Sequence, residues 1–347
     1  MARDANGPPV RLKDIAEELN VSVMTVSKVV RGQTDVSEAT RKRVLDRVRE
    51  LNYQPNWIAR SLAARQTFII GLVVPDLMHS FFAEVAKGVT RKMRPHGYDV
   101  VICNSEEDAA LERSEVEHLL SRQVDGLILA SSQFPGEDGL FRKIEARGIP
   151  YVMIDRRFTD AKAAYVGAEN REIGRLATEH LIKEGAKVVG HIAGPQITTG
   201  AGRLEGYRAA LEANGIEFRE DLVVDGSDDE GLSASRKLLT REPRVDGIVC
   251  YNDPYAICAM KVAIELGLRI PKDVKVIGAG NVHYSDLLIV PLSTIDQQST
   301  HTGEQAAEIL LGMISPRQKK PSKKTPKIVH IKPALVVRQS TRLEHRP

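Results

Sequence analysis

The chain has 347 residues, 42% hydrophobic and 27% charged, ordinary proportions for a folded chain of two or three domains, which excludes a mostly disordered or fibrous protein. No run approaches the roughly 18 uninterrupted apolar residues of a membrane span, and the opening M-A-R-D-A-N-G-P-P-V has no apolar signal core, so a cytoplasmic protein is expected. Residues 1–66 hold 12 Lys+Arg against 8 Asp+Glu, a net of +4, while the other 281 hold 37 against 38; a small basic head on a nearly neutral body fits a nucleic-acid binder with a separate module, although surface charge alone also produces such an imbalance.

Leu12, Ile15, Ala16 and Leu19 form one helical face. Asn20 tolerates a left-handed turn, and Ser22 is a good N-cap for a second helix that carries Val26, Val29 and Val30 inward. Two helices joined so tightly cross steeply and need a small residue where they touch, which Ala16 supplies. This is the helix-turn-helix pattern; an arbitrary amphipathic hairpin gives no reason for Ala16 and Asn20 together. A third helix is expected from Ser37 to Leu51, with Val44, Val48 and Leu51 inward. Most of Arg41, Lys42, Arg43, Arg47 and Arg49 read as a solvated face.

If the second helix enters a major groove, its outward residues do the reading. Val23, Met24, Ser27 and Lys28 form one strip at helical spacing. Lys28 can donate to guanine and Val23 or Met24 can touch a thymine methyl, while the hydroxyls of Ser22, Thr25 and Ser27 suit phosphates. The competing reading of Val23 and Met24 is scattered surface hydrophobes. Pro55 can break the third helix, and Asn56 can cap a short helix reaching about Ala64. Such a helix is unstable alone. Leu62, beside Ala59 and Ala63, suits a minor-groove wedge, but by composition alone packing inside the protein is the better reading.

The runs L-K-D-I-A-E-E-L-N-V-S-V-M-T-V-S-K-V-V-R-G, N-Y-Q-P-N-W-I-A-R-S-L and I-G-L-V-V-P-D-L resemble the LacI/GalR family of bacterial transcription regulators, and the similarity runs along essentially the whole chain. The resemblance implies that Val23, Met24 and Lys28 read bases, that Asn56 and Ala59 lie on a hinge helix, and that Leu62 intercalates at the operator centre. Arg11 departs from the family, which often has a capping Thr there, so a looser start of the first helix is expected.

From Phe68 onward, short apolar runs alternate with helical stretches: 69–75, 98–104, 125–131 and 150–155, then, after about residue 167, 187–194, 221–226, 245–252 and 274–281. Such runs indicate parallel strands buried on both faces. The expected fold is an all-α helix-turn-helix head followed by an α/β domain of two doubly wound lobes, which the resemblance likens to a periplasmic sugar-binding protein whose chain crosses between lobes three times. The expected boundaries are 1–54 for the head, 55–66 for the hinge helix and linker, and 67–347 for the effector-binding and dimerisation domain, with lobe 1 at about 67–167 and 299–325 and lobe 2 at about 168–298 and 326–340. The Pro- and Lys-rich segment 314–326 reads as a solvated loop rather than a second DNA contact.

Ligands of parallel α/β sheets bind beyond the carboxyl ends of the strands. Those ends carry Asp76, Asn104, Ser131, Asp155, Asn252, Asp253 and Asn281; Arg203 near a helix start can grip oxygens, and Phe81 and Phe82 can form an apolar wall. Each polar residue alone is also a plausible cap or turn former. The resemblance places Asp155, Arg203, Asn252 and Asp253 on family effector positions. It also exposes a departure: many sugar-binding members carry an acidic residue after V-I-G, where this chain has Gly280 and Asn281. A sugar effector of the usual kind is therefore in question.

There is no G-x-S-x-G, P-loop or C-x-x-C, and His79, His191, His283 and His301 are scattered. Cys103, Cys250 and Cys258 are too few and too oddly numbered for a disulfide framework, with no zinc-like spacing. No metal, cofactor or catalytic site is expected. The reading is a homodimeric DNA-binding regulator, more specifically a repressor, with a double-stranded operator, a small polar effector and a second copy of itself as partners, and no membrane. The alternatives are a small-molecule-binding protein without a gene-regulatory role, and an α/β enzyme with a DNA-binding head.

Overall fold

The computed structural model describes residues 10–30, 32–33, 35–53, 61, 64, 66–133, 139–157, 163–229, 231–314 and 326–342. The chain divides into two units, residues 1–67 and 68–347.

The first unit contains helices α1 (Leu12–Leu19), α2 (Val23–Val30) and α3 (Glu38–Glu50). Asn20 closes α1 in the left-handed conformation at φ 52°. The Val21 amide returns to the Ala16 carbonyl at 3.0 Å and the Asn20 amide to that of Glu17 at 3.2 Å, a Schellman-type stop. Ile15, Ala16, Val26, Val29 and Val44 make the core, with Leu19, Val21, Val48 and Leu51 packed around them, as the spacing predicts. The start of α1 is anchored despite Arg11: the Asp14 carboxylate accepts from the Arg11 amide at 2.9 Å, the reciprocal half of a capping box.

The second unit holds two six-stranded sheets. The first contains β1 (Ile69–Val74), β2 (Asp99–Asn104), β3 (Gly126–Leu129), β4 (Tyr151–Ile154), β5 (Ala164–Ala168) and β11 (Ile328–Ile331), in the order β11-β5-β4-β3-β1-β2. The second contains β6 (Val189–Ala193), β7 (Val223–Asp225), β8 (Gly247–Cys250), β9 (Lys275–Ala279), β10 (Ser293–Asp296) and β12 (Ala334–Val336), in the order β12-β10-β9-β8-β6-β7. All pairings are parallel except β10 with β12.

Helices α4 (Ser80–Met93), α5 (Ala109–Ser121), α6 (Gly139–Ala146), α7 (Asn170–Lys183), α8 (Thr198–Ala213), α9 (Leu232–Thr240), α10 (Asp253–Glu265) and α11 (Ser299–Ile314) cover the sheets. Along β1, Ile70, Leu72 and Val74 enter one core with α4 and α11, and Val73 enters the other. That alternation buries both faces of the strand and explains its unbroken apolar run.

The chain passes from β5 to α7 near Glu169, from β10 to α11 through Gln297 and Gln298, and from β11 to β12 through Lys332 and Pro333. The expectation that 326–340 lies wholly in the second lobe is corrected here. Ile328–Ile331 pairs with Tyr165–Ala168 in the first sheet, so the last crossing follows Ile331. The crossings are tied together: the Glu169 amide donates to the Ile331 carbonyl at 3.2 Å, and Gln298 Nε2 donates to the Lys332 carbonyl at 2.8 Å.

Candidate DNA-reading face and interlobe cleft

In the head, Ser22 caps α2 as its residue type implies, accepting from the Thr25 amide at 3.0 Å and sharing a hydrogen bond with Thr25 Oγ1 at 2.8 Å. Val23 and Met24 are 45% and 61% exposed, high values for apolar side chains beside a well-filled core. Ser27 and Lys28 are half-buried on the same helix. Lys28 is paired with Asp35, and its ammonium holds the Asp35 carboxyl below the usual range. The arginines of α3 are less purely solvated than their pattern suggests. Arg43 donates to the Leu19 carbonyl at 3.0 Å, Arg41 to that of Gln33, and Arg47 bridges Glu18 and Glu50. They brace α3 against the helix-turn-helix. Asn56, Ala59 and Leu62 lie outside the described residues, as does 315–325 of the expected loop.

In the body, strand ends from the two lobes approach each other at Asn252 and His79. Asn252 caps α10, its Oδ1 accepting from the Tyr255 amide at 2.9 Å, and its Nδ2 lies 3.2 Å from His79 Nε2 in the first lobe. A second contact between lobes runs from the Arg157 amide to Thr198 Oγ1 at 3.4 Å. Asp155 follows β4 at φ 59°. Burial pushes its carboxyl up, while Arg156, Arg203 and His79, drawn from both lobes, pull it back. The neighbouring Arg156, 8% exposed, forks onto Glu107 at 2.6 and 2.5 Å. Asp155 keeps 14% of its side chain exposed, and the guanidinium nitrogen 3.9 Å from it, Arg156 Nε, has no hydrogen-bond partner among the described residues, the two Nη atoms being taken by Glu107.

The other candidates turn back into their own lobes. Arg203 is 4% exposed and donates to Asn170 Oδ1 at 3.1 Å, to Gln297 Oε1 at 2.8 Å and to the Tyr251 carbonyl, with its guanidinium 4.6 Å from the Tyr251 ring centroid. It organises the site rather than projecting freely from the helix start. Gly174 and Gly206 make this possible: a Cβ on either would lie 1.9 Å from the carbonyl oxygen of Arg203 or Arg171, so α7 and α8 pack backbone to backbone. Asp253 is fully buried; its carboxylate accepts from Thr294 at 2.5 Å, the Val282 amide at 2.9 Å and Ser285 at 3.1 Å. Ser131 donates to buried Glu112 at 2.5 Å. Phe81 packs edge-on to Phe82 in the core of the first lobe. Asn281 bonds Asp296 and Arg338 and lines a crevice of about 820 Å³ opposite Ser80, Glu84 and Lys87 of α4.

The residues that sequence reasoning missed are His79, Glu107, Arg156, Tyr251 and Gln297. Arg156 and Tyr251 stand beside predicted positions; His79 and Glu107 gave no periodic signal. Gly280 is held by its environment: φ is 147°, and a Cβ there would lie 3.3 Å from Asp253 Oδ2. An acidic side chain would meet strain and a carboxylate.

Two family models match the chain: bacterial regulatory proteins of the lacI family over residues 11–56, and the periplasmic binding proteins and sugar binding domain of the LacI family over 67–334. The chain is 35% identical to a ribose operon repressor of Halalkalibacterium halodurans over 89% of this chain and 91% of that one. It is 34% identical to the transcriptional repressor PurR of Escherichia coli over 95% and 96%. Among solved structures it is similar to a complex of the transcriptional regulator CelR with cellobiose, at 30% identity and a TM-score of 0.71 over 95% of this chain and 99% of that one. It is also similar to the Lac repressor dimer bound to operator and the anti-inducer ONPF, at 27% identity and a TM-score of 0.79 over 96% and 99%. With a head that matches one model and a two-lobed body that matches the other, the chain belongs to the LacI family of bacterial regulatory proteins.

Proposed function

We propose that the chain is a transcription repressor that binds a near-palindromic operator as a homodimer and responds to a small polar effector held between the lobes of the body. The observation that carries this reading is one chain joining a helix-turn-helix that exposes Val23 and Met24 beside a half-buried Lys28 to two lobes that meet at His79 and Asn252 beside an Asp155 with 14% of its side chain exposed. The relatives support it by name, as repressors; one structural neighbour is a dimer on operator and another holds cellobiose. No helix among the described residues is long and apolar enough to cross a membrane.

Val23, Met24 and Lys28 read bases, with Ser22, Thr25 and Ser27 on phosphates. Asn56, Ala59 and Leu62 serve the hinge at the operator centre. Asp155 and Asn252 face the effector, and Phe81, Ser131, Arg203, Asp253 and Asn281 shape the site around them. No cofactor or metal is required. With no carboxylate at Gly280, Asp155 is the principal acceptor for an effector hydroxyl. An effector that changes lobe closure changes the spacing of the two heads, coupling the sites by roughly 1–3 kcal/mol in both directions.

The test is selection of bound DNA from a random pool, repeated with a library of sugars and other small polar metabolites. A symmetric site whose recovery changes with one metabolite is expected. A protein indifferent to any duplex overturns the reading.

A further inference from the structure

Asn252 lies where its orientation can be deduced. Its Oδ1 caps α10 by accepting from the Tyr255 amide at 2.9 Å, so its Nδ2 faces away from the helix, toward His79 Nε2 at 3.2 Å. Nδ2 carries only hydrogens, so His79 Nε2 accepts. A neutral imidazole that accepts on Nε2 bears its proton on Nδ1. His79 Nδ1 is buried and has no hydrogen-bond partner among the described residues. A buried N–H without an acceptor is costly to maintain. Burial lowers the His79 pKa, Arg203 adds to this, and Asp155, Asp76 and Glu107 oppose it, so the ring is neutral at neutral pH.

We propose that His79 is a specificity-determining residue of the cleft: its Nε2 latches Asn252 across the two lobes, and its Nδ1–H is held for an oxygen of the bound molecule. This inference rests on reading the cleft as the effector site. It adds a selection rule. The bound molecule presents a lone-pair oxygen to His79, and an ammonium or amide N–H placed there meets another N–H. A hydroxyl fits best, because it can accept from His79 while a hydroxyl of the same molecule donates to Asp155.

The test needs no known ligand at its first step. The full chain is labelled with 15N-histidine, and long-range proton–nitrogen spectra are recorded at neutral pH, with His79 assigned from a His79→Gln variant. The expected ring is neutral and protonated on Nδ1; an Nε2-protonated or doubly protonated ring overturns the latch. Asn252→Asp keeps a good helix cap but offers Nε2 an acceptor, so a proton should appear on Nε2. An unchanged ring in that variant also overturns the latch.

The second step titrates ribose, glucose and cellobiose. A sugar that shifts the His79 ring nitrogens in the wild type should bind His79→Leu about tenfold more weakly, the loss of one hydrogen bond; equal affinity removes the specificity role. If no sugar moves the ring, the hydroxyl rule falls even where the latch stands, which separates failure of the effector reading from failure of the tautomer argument.

Discussion

Arg203 Nη2 donates to Gln297 Oε1 at 2.8 Å, fastening a helix of the second lobe to one of the three segments that cross between lobes. The same guanidinium holds Asn170, next to another crossing, and the Tyr251 carbonyl at the end of β8. The proposed effector cleft therefore has a buried cation at its organising point, its fork divided among Asn170, Gln297 and the end of β8.

Arg203→Ala leaves three acceptors short of a donor, the Gln297 amide oxygen buried and those of Asn170 and Tyr251 part-buried. The expected cost is roughly 3 kcal/mol, or a fall of about 5–10 °C in the thermal midpoint of the body. Arg203→Lys should recover only part of this, because an ammonium lacks the planar fork. Calorimetry checks both. An Ala variant as stable as the wild type would reassign Arg203 from organiser to freely projecting ligand contact.

The head is a small core centred on Ile15, which is 0% exposed. Ile15→Ala should cost roughly 2–5 kcal/mol, a large fraction of what so small a unit has. Because the head and body are separate contact units, operator binding should be lost while the body's own thermal transition stays unchanged. A coincident loss of both transitions would show that the units unfold together.

On the proposed DNA-reading face, a Lys28 that reads a base exchanges its Asp35 partner for it. Lys28→Ala should relax preference at one position of each half-site by roughly 1–3 kcal/mol and leave the other positions as they were. The measurement is binding across a library of single-base operator variants. A uniform loss at every position would place Lys28 on the backbone instead.

Much of this architecture was legible because its signals are periodic. The inward positions of the head repeat at helical spacing, and eight strands of the body fall within the apolar-rich runs of the sequence. The strands that escaped notice, A-Y-V-G-A, S-T-I-D, I-V-H-I and A-L-V, are short and interrupted by small or polar residues, and all four adjoin crossings. The site was less legible for a different reason. Asn252 and Asp253 are adjacent at one strand end, yet one reaches the other lobe and the other is locked beneath its own loop. Asp253 is turned inward by Thr294, Ser285 and Val282, some 30 to 40 residues away in sequence, and Asn252 is oriented by the Tyr255 amide and by His79, 173 residues away. His79 looked like one histidine among several; only its burial and its partner distinguish it.

His191 gives a pH dependence unrelated to the cleft. It is fully buried on β6, stacked on Tyr207 at 5.1 Å, with its Nδ1 3.0 Å from the Val249 carbonyl. Burial lowers its pKa from the ordinary 6.5 to about 4, so folding favours the neutral ring. This stabilisation is fully present above pH 6.5 and is lost as the pH falls toward 4, because the unfolded chain binds the proton first. The window corresponds to about 3 kcal/mol. Thermal midpoints of the body measured between pH 7 and 4 should therefore fall, and His191→Leu should flatten that fall even if it lowers stability at neutral pH. Parallel curves for the two proteins would show that His191 is not the group that titrates.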